Sequence, residues 1–107
     1  MRSQSVPHIF LCAVVKAELW HGADKYGNRE RRHRALDILF APFVSLPFDD
    51  AAARHYAEIR HALEVQGQVI GPNDLKIAAI ARTHGLTLVT ADREFNRVPG
   101  LSVEDWT

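Results

Sequence analysis

The sequence lacks the features on which several common classes of function depend. Its one cysteine, Cys12, excludes an internal disulfide framework and a cysteine-rich zinc site. Its six glycines form no Gly-x-Gly-x-x-Gly or phosphate-loop pattern, which leaves a nucleotide-cradling loop unsupported. The apolar run at 9–15 is too short to span a bilayer, and the chain does not begin like a signal peptide. We therefore expect a cytoplasmic protein in which Cys12 is buried and inert.

An excess of charge of either sign is also absent, because 13 basic residues balance 13 acidic ones. A general nucleic-acid binder usually carries a positive excess, which this chain does not have. Four arginines are nevertheless packed into a short stretch, Arg29, Arg31, Arg32 and Arg34. They predict either a solvated helix face, which we favour, or a local basic patch.

The pattern that is present predicts an α/β fold. The 107 residues, 47% of them hydrophobic, suit a single domain over 1–107 with an irregular start at 1–8. Strand-like runs are predicted at 9–15, 44–48, 86–89 and 101–103. Helices are predicted at 16–26, 29–40, 50–66 and 72–84, with a short helix or turn at 93–97. This alternation predicts a mostly parallel sheet covered by helices on both faces, with the first strand buried on both sides.

Local residues mark where two of these helices begin and end. Asp49 or Asp50 is expected to cap the third helix, and Gly67 to end it. Pro72 suits the first turn of the fourth helix, which Gly85 should close. The apolar residues of the third helix recur at helical spacing, whereas the fourth has almost no polar face. We therefore expect the fourth helix to be central and buried.

Three acids fall at places where such a fold positions chemistry. Glu18 and Asp92 each follow the end of a predicted strand, and Asp74 lies in the first turn of the fourth helix. In open α/β sheets ligands bind at the carboxyl ends of the strands, so these acids are expected to meet there. Neighbouring carboxylates repel one another unless a cation lies among them. Their pattern favours Mg²⁺ or Mn²⁺, which could activate water for attack on a phosphodiester.

Each acid also has a purely structural interpretation. Asp74 could complement its helix dipole, Glu18 could be an exposed helix residue, and Asp92 could cap the turn at Arg93. Glu18 and His21 form one Glu-x-x-His pair, but a di-iron bundle requires two. Only the conjunction of the three acids favours a metal site.

The sequence around these acids resembles the PIN-domain family, in particular the VapC toxins of bacterial toxin–antitoxin pairs. Five segments carry the resemblance in the family's order, namely 14–23, 46–49, 70–79, 88–95 and 97–101. They read VVKAELWHGA, LPFD, IGPNDLKIAA, LVTADREF and RVPGL. The resemblance spans the chain from about residue 9 to residue 106, and five matches in order are specific where one would not be.

The resemblance implies a PIN-like three-layer α/β/α fold and endoribonuclease activity that depends on Mg²⁺ or Mn²⁺. Glu18, Asp74 and Asp92 then match the family's catalytic, metal-binding acids, and Thr90 a supporting hydrogen-bonding residue. His21 and Arg93 become candidate RNA contacts. The resemblance also implies a VapB-like antitoxin as partner and a homodimer or larger self-association.

One departure from the family's pattern bears on activity. PIN domains begin with a central strand that ends in an aspartate, and this sequence has no such segment. We expect an N-terminally truncated fold that lacks this strand, with rearranged pairing, a strand from another chain or self-association in its place. Because the missing acid is commonly a direct ligand, its loss counts against metal affinity and rate. The alternative function is therefore an inactive PIN remnant that binds an antitoxin or another PIN subunit.

Overall fold

The computed structural model describes residues 10–25 and 27–105 and shows alternating strands and helices. The strands are β1 Phe10–Cys12, β2 Val44–Leu46, β3 Thr87–Val89 and β4 Ser102–Glu104. The helices are α1 Ala13–Asp24, α2 Arg29–Phe40, α3 Asp50–Gln66 and α4 Pro72–Thr83, and a 3₁₀ helix spans Arg93–Arg97. Within these residues no helix combines the length and the apolar content that crossing a membrane requires. The predictions for residues 1–9 and for Tyr26 lie outside the described residues.

The strands pair in parallel, as the sequence predicted. β1 pairs with β2, with Phe10 opposite Val44, and β3 pairs with β4, with Leu88 opposite Val103. In the described part of the chain each of the two sheets contains two strands. Parallel pairing requires a crossover between the paired strands, and helices provide it in the first pair. The expectation of a mostly parallel α/β fold is confirmed.

The chain divides into two compact units, the first ending at Leu46 and the second beginning at Pro47. The first unit contains β1, β2 and the helix pair α1–α2; the second contains α3, α4, β3 and β4. The predicted single domain over 1–107 stays a prediction.

The second unit has a continuous apolar core between α3, α4 and the segment after β3. α3 contributes Ile59 and Leu63, and α4 contributes Leu75 among others, all at most 2% exposed. Phe95 and Val98 complete the core from the 3₁₀ helix and the residue after it. The expectation that α4 is central and buried is confirmed within this unit, because its apolar residues leave no face for solvent.

The third helix begins and ends where the sequence predicted. The backbone N–H of Ala52 donates to Asp49 Oδ1 at 3.0 Å, which makes Asp49 the N-cap of α3. Gly67 follows the helix with φ at 69°, a left-handed conformation that glycine adopts without a steric penalty. Local side-chain chemistry therefore fixes both ends of this helix.

The start of the chain differs from the prediction. The apolar run was predicted to be a strand to Val15, but β1 ends at Cys12 and α1 begins at Ala13. Phe10 is 37% exposed, so the first strand is not buried on both faces, whereas Cys12 is buried as expected. An apolar run of this length fits a strand or a helix equally well, and neighbouring structure decides between them.

Candidate functional site

The candidate site is a cluster of three carboxylates in the second unit. Asp74 of α4, Asp92 and Glu94 each offer an oxygen, and these three oxygens lie within 4.8 Å of one another. Asp74 and Glu94 are half-buried, and Asp92 is exposed. Two of the three acids that the sequence singled out are thus brought together, and Glu94 joins them.

Asp74 reaches the cluster because of how α4 begins. Pro72 occupies the first helical turn and Asp74 is the third helical residue, so its carboxylate lies near the positive end of the helix dipole. Leu75, the next residue, is buried in the core and fixes the rotation of the helix about its axis. The position of Asp74 therefore follows from the core packing of α4.

Asp92 and Glu94 are held by a tight turn after β3. The Asp92 N–H donates to Thr90 Oγ1 at 3.0 Å, and the Glu94 N–H donates to Asp92 Oδ1 at 2.9 Å. Asp92 is thus the N-cap of the 3₁₀ helix, which Phe95 anchors in the core. Because one oxygen of Asp92 accepts the Glu94 N–H, the turn fixes the direction of its carboxylate toward the cluster.

Thr90 connects this turn to the sheet. Its N–H donates to the Glu104 carbonyl at 2.9 Å, which extends the pairing of β3 with β4 by one residue. Its hydroxyl oxygen accepts from Asp92, as given above. These two hydrogen bonds join Thr90 to β4 and to the turn at Asp92, and its role as a supporting residue stays a prediction.

The remaining predicted residues lie elsewhere along the chain. Glu18 and His21 are exposed on α1, in the first unit, three residues apart and therefore neighbours on the helix surface. Glu18 was predicted early in its helix, but α1 begins at Ala13 and Glu18 is its sixth residue. Arg93 is exposed at the start of the 3₁₀ helix, between two acids of the cluster. The assignment of Glu18 to the metal site stays a prediction.

Sequence reasoning missed Glu94. It stands two residues after Asp92, within the segment 88–95 that resembles the PIN-domain family. The available clue was the Asp-x-Glu spacing after a strand, since a tight turn can bring both side chains to one side. The spacing alone does not show this, because it also fits an exposed turn.

The donor set of the cluster fits a hard divalent cation. Three carboxylates supply oxygen ligands only, which suit Mg²⁺ and Mn²⁺ and leave softer metals without preferred ligands. Three negative charges within such a distance repel one another, and a cation among them removes that repulsion. The second unit of this α/β fold thus places three acids together, one at the start of a helix and two after a strand.

Comparison with known proteins identifies the family. The model of the PIN domain matches residues 2–101, and the chain belongs to the PIN-domain family. It is 41% identical over 98 residues to the tRNA(fMet)-specific endonuclease VapC of Shigella flexneri, an alignment that covers 91% of this chain and 74% of that protein. The expected family and its VapC branch are thereby confirmed.

Solved structures give the same result. The VapBC2 structure from Rickettsia felis, bound to a DNA fragment from its promoter, matches with a TM-score of 0.86 at 37% identity and covers 92% of this chain and 75% of that chain. The VapBC-1 structure from nontypeable Haemophilus influenzae matches with a TM-score of 0.87 at 33% identity and covers 96% and 79%. The PIN-like fold is therefore established by structure as well as by sequence.

Proposed function

We propose that this protein is a metal-dependent endoribonuclease of the VapC type that hydrolyses RNA phosphodiester bonds. The observation that carries the proposal is the cluster of Asp74, Asp92 and Glu94 in a chain of the PIN-domain family. Relatives that align over more than nine tenths of this chain are named as a ribonuclease and as an endonuclease specific for a transfer RNA, which supports RNA as the substrate.

The three carboxylates would hold Mg²⁺ or Mn²⁺ in this proposal, with Glu18 as a further acid. When bound, the ion would supply positive charge at the scissile phosphodiester and make an attacking water more acidic. The chain's own residues orient the donors: Thr90 fixes the turn at Asp92, and the N-cap of the 3₁₀ helix aims the carboxylate. Preorganised ligands of this kind spare the site the cost of rearrangement when charge develops.

His21 and Arg93 are proposed as contacts to RNA. Arg93 is exposed beside Asp92, where its guanidinium could pair with a phosphate next to the site of cleavage. His21 lies on the same surface of α1 as Glu18, three residues further on. Both assignments rest on position and side-chain chemistry.

RNA cleavage by designed variants tests the proposal. The purified protein is incubated with mixed transfer RNA and, separately, with an unstructured RNA, each with Mg²⁺, with Mn²⁺ or with a chelator. We expect cleavage that requires the metal and falls about 100-fold or more in Asp92→Asn and Glu94→Gln, since each removes a charged ligand. Glu64→Gln, the same change at an exposed acid of α3, is the matched control and should cleave normally.

Two results would contradict the proposal. Equal cleavage by wild type and Asp92→Asn would mean that the activity comes from a contaminant. Full activity in the chelator would remove the role of the metal. A Glu18→Gln variant in the same assay decides whether the acid of α1 belongs to the site.

The second candidate function is an inactive module that binds an antitoxin. Exposed apolar side chains on the helices of the first unit favour it, since such surfaces commonly contact other proteins. They are Leu19 on α1 and Ile38 and Leu39 on α2. The solved relatives are VapBC assemblies, and we therefore propose a VapB-like antitoxin as partner whichever function holds.

Binding of a defined antitoxin separates the two functions. A peptide from the antitoxin of the Rickettsia felis VapBC2 pair serves as a probe in calorimetry. Binding without metal-dependent cleavage would favour the inactive module, whereas cleavage that the peptide inhibits would favour the toxin.

Sedimentation of the free protein tests the predicted self-association, which a stable monomer would contradict. A cytoplasmic location stays a prediction.

A further inference from the structure

The side chain of Arg82 joins three segments of the second unit. Arg82 lies in the last turn of α4, and its side chain is only 15% exposed. Its Nε donates to His55 Nδ1 at 2.8 Å and its Nη2 to Glu58 Oε1 at 2.5 Å, both on α3. Its Nη1 donates to the Pro99 carbonyl at 3.1 Å, beyond the 3₁₀ helix. One guanidinium thus connects both helices to the chain segment that follows the acids.

Two of these three segments carry the acids of the cluster. α4 provides Asp74 at its first turn, and the segment that Arg82 holds at Pro99 begins with Asp92 and Glu94. Phe95 and Val98 attach the middle of that segment to the core. Its far end is held by Arg82, so the segment is attached to the rest of the second unit at Phe95, Val98 and Pro99.

We propose that Arg82 is a positioning residue that keeps Asp92 and Glu94 in register with Asp74. The proposal rests on the proposed metal-binding function. Arg82 contacts none of the three carboxylates and affects only the distances between them. It concerns the geometry of the cluster and not the chemistry of cleavage. Arg82 was not among the residues that the sequence singled out.

The guanidinium is suited to this place by its shape more than by its charge. Glu58 is 70% exposed, and an ion pair with so open a partner contributes little by itself. The planar group offers donors at fixed angles, so that three acceptors can be held at once. A lysine could replace the charge but not the three directions.

The turn after Pro99 contains a glycine that lies close to the side chain of Arg82. Gly100 has φ at 75°, which side chains other than glycine rarely adopt. A Cβ added at this glycine would stand 3.4 Å from Arg82 Cδ. The backbone therefore runs against the stem of Arg82, which agrees with a fixed contact between the two segments.

Binding of Mn²⁺ alone tests the inference without RNA. Calorimetry is done well below the unfolding temperature of every variant, so that a loss of stability does not by itself alter affinity. We expect Arg82→Gln to bind Mn²⁺ about tenfold more weakly, because the segment that carries Asp92 and Glu94 loses its attachment at Pro99, and Arg82→Lys to recover only part of the loss. Arg54→Gln, at an exposed arginine of α3, is the matched control and should bind as the wild type does.

Hydrogen exchange gives a readout that does not depend on the metal. Arg82→Gln should raise the exchange of amides at 93–98 by about tenfold while amides of the α3–α4 core change much less, because local opening is independent of global unfolding. Glu58→Ala, which removes the oxygen that accepts from Arg82 Nη2, should do the same to a smaller extent. It serves in place of Arg82→Gln should that variant not fold.

The outcomes separate this inference from the proposed function. Unchanged exchange at 93–98 in the folded variants, or an equal rise throughout the second unit, would overturn the positioning role. Undiminished Mn²⁺ affinity in a folded Arg82→Gln variant would overturn it as well. If the wild type binds no Mn²⁺ and Asp92→Asn changes nothing, the proposed function fails, and hydrogen exchange still decides whether Arg82 holds the segment.

Discussion

Different kinds of contact stabilise the interior of each of the two units. In the second unit, α3 and α4 bury a continuous apolar core that contains Ile59, Leu63 and Leu75. In the described part of the first unit the buried apolar residues are Cys12, Ala23 and Phe40. Burial of apolar area is the main favourable contribution to folding, so the core of the second unit should dominate its stability.

The helix pair of the first unit relies more on polar and aromatic contacts at its surface. The indole N–H of Trp20 donates to Asp37 at 3.2 Å, and the same ring packs edge-on against Phe40 with centroids 5.5 Å apart. Asp24 accepts from Arg29 at 2.7 Å and lies 2.6 Å from His33 Nε2. Each exposed ion pair contributes little to the free energy of unfolding. The number of contacts in a unit is therefore a poor guide to its stability.

The largest effect on stability is expected from removing an apolar side chain of the second unit's core. Leu63→Ala should lower the free energy of unfolding by about 2–5 kcal/mol, because it leaves a cavity in the core. Ile38→Ala, at a side chain of α2 that is 70% exposed, should change it by less than about 0.5 kcal/mol. Urea unfolding followed by far-ultraviolet circular dichroism gives both values. An equal loss of unfolding free energy in Ile38→Ala and Leu63→Ala would contradict the dominant role of the second unit's core.

A medium effect is expected where the units differ in how their helices begin. Asp49 caps α3 through its side chain, whereas Asn28 precedes α2 with φ at 61° and no side-chain cap. Asp49→Ala should therefore cost about 1 kcal/mol, and Asn28→Gly less than about 0.5 kcal/mol, since glycine accepts that φ. Thermal unfolding measures both. Equal losses would mean that Asn28 makes a contribution that its backbone does not explain.

The smallest effect concerns pH. A hydrogen bond to His33, with Arg29 also contributing, holds the pKa of Asp24 below its usual value of 3.8. A lowered pKa in the folded state stabilises above the unfolded value and is lost as the pH falls through the folded value. Wild type should therefore be slightly more stable than Asp24→Asn at neutral pH, and the two should converge below pH 3.8. Urea midpoints in low salt at several pH values measure the difference, and a gap that widens toward acid would contradict the expectation.

Local residue chemistry was enough to predict most helices. α2 spans the predicted residues, and the cap at Asp49 and the stop at Gly67 place the ends of α3. Caps, proline and glycine act on the backbone within a few residues, so they can be recognised without knowing the fold. The run at 9–15 was misassigned in part because composition does not distinguish a buried strand from the start of a helix.

The candidate site was predictable only in part for a related reason. Asp74 and Asp92 stood out because each follows a helix start or strand end, and the structure brings them together. Glu94 depends on the shape of one turn, and Arg82 on contacts with His55, Glu58 and Pro99, which lie 17 to 27 residues away in sequence. Contacts at such separations are set by how helices pack, which residue spacing does not encode directly.

The sequence alone was enough to predict the family, the order of helices and strands, their parallel pairing and two acids of the candidate site. It did so because periodicity, caps and motif wording are local properties of the chain. The tertiary structure alone decided that Glu94 joins Asp74 and Asp92, and that Arg82 connects the segments that carry them. The physical reason is that angstrom-scale placement of charged groups follows from core packing and backbone turns, which the whole fold determines.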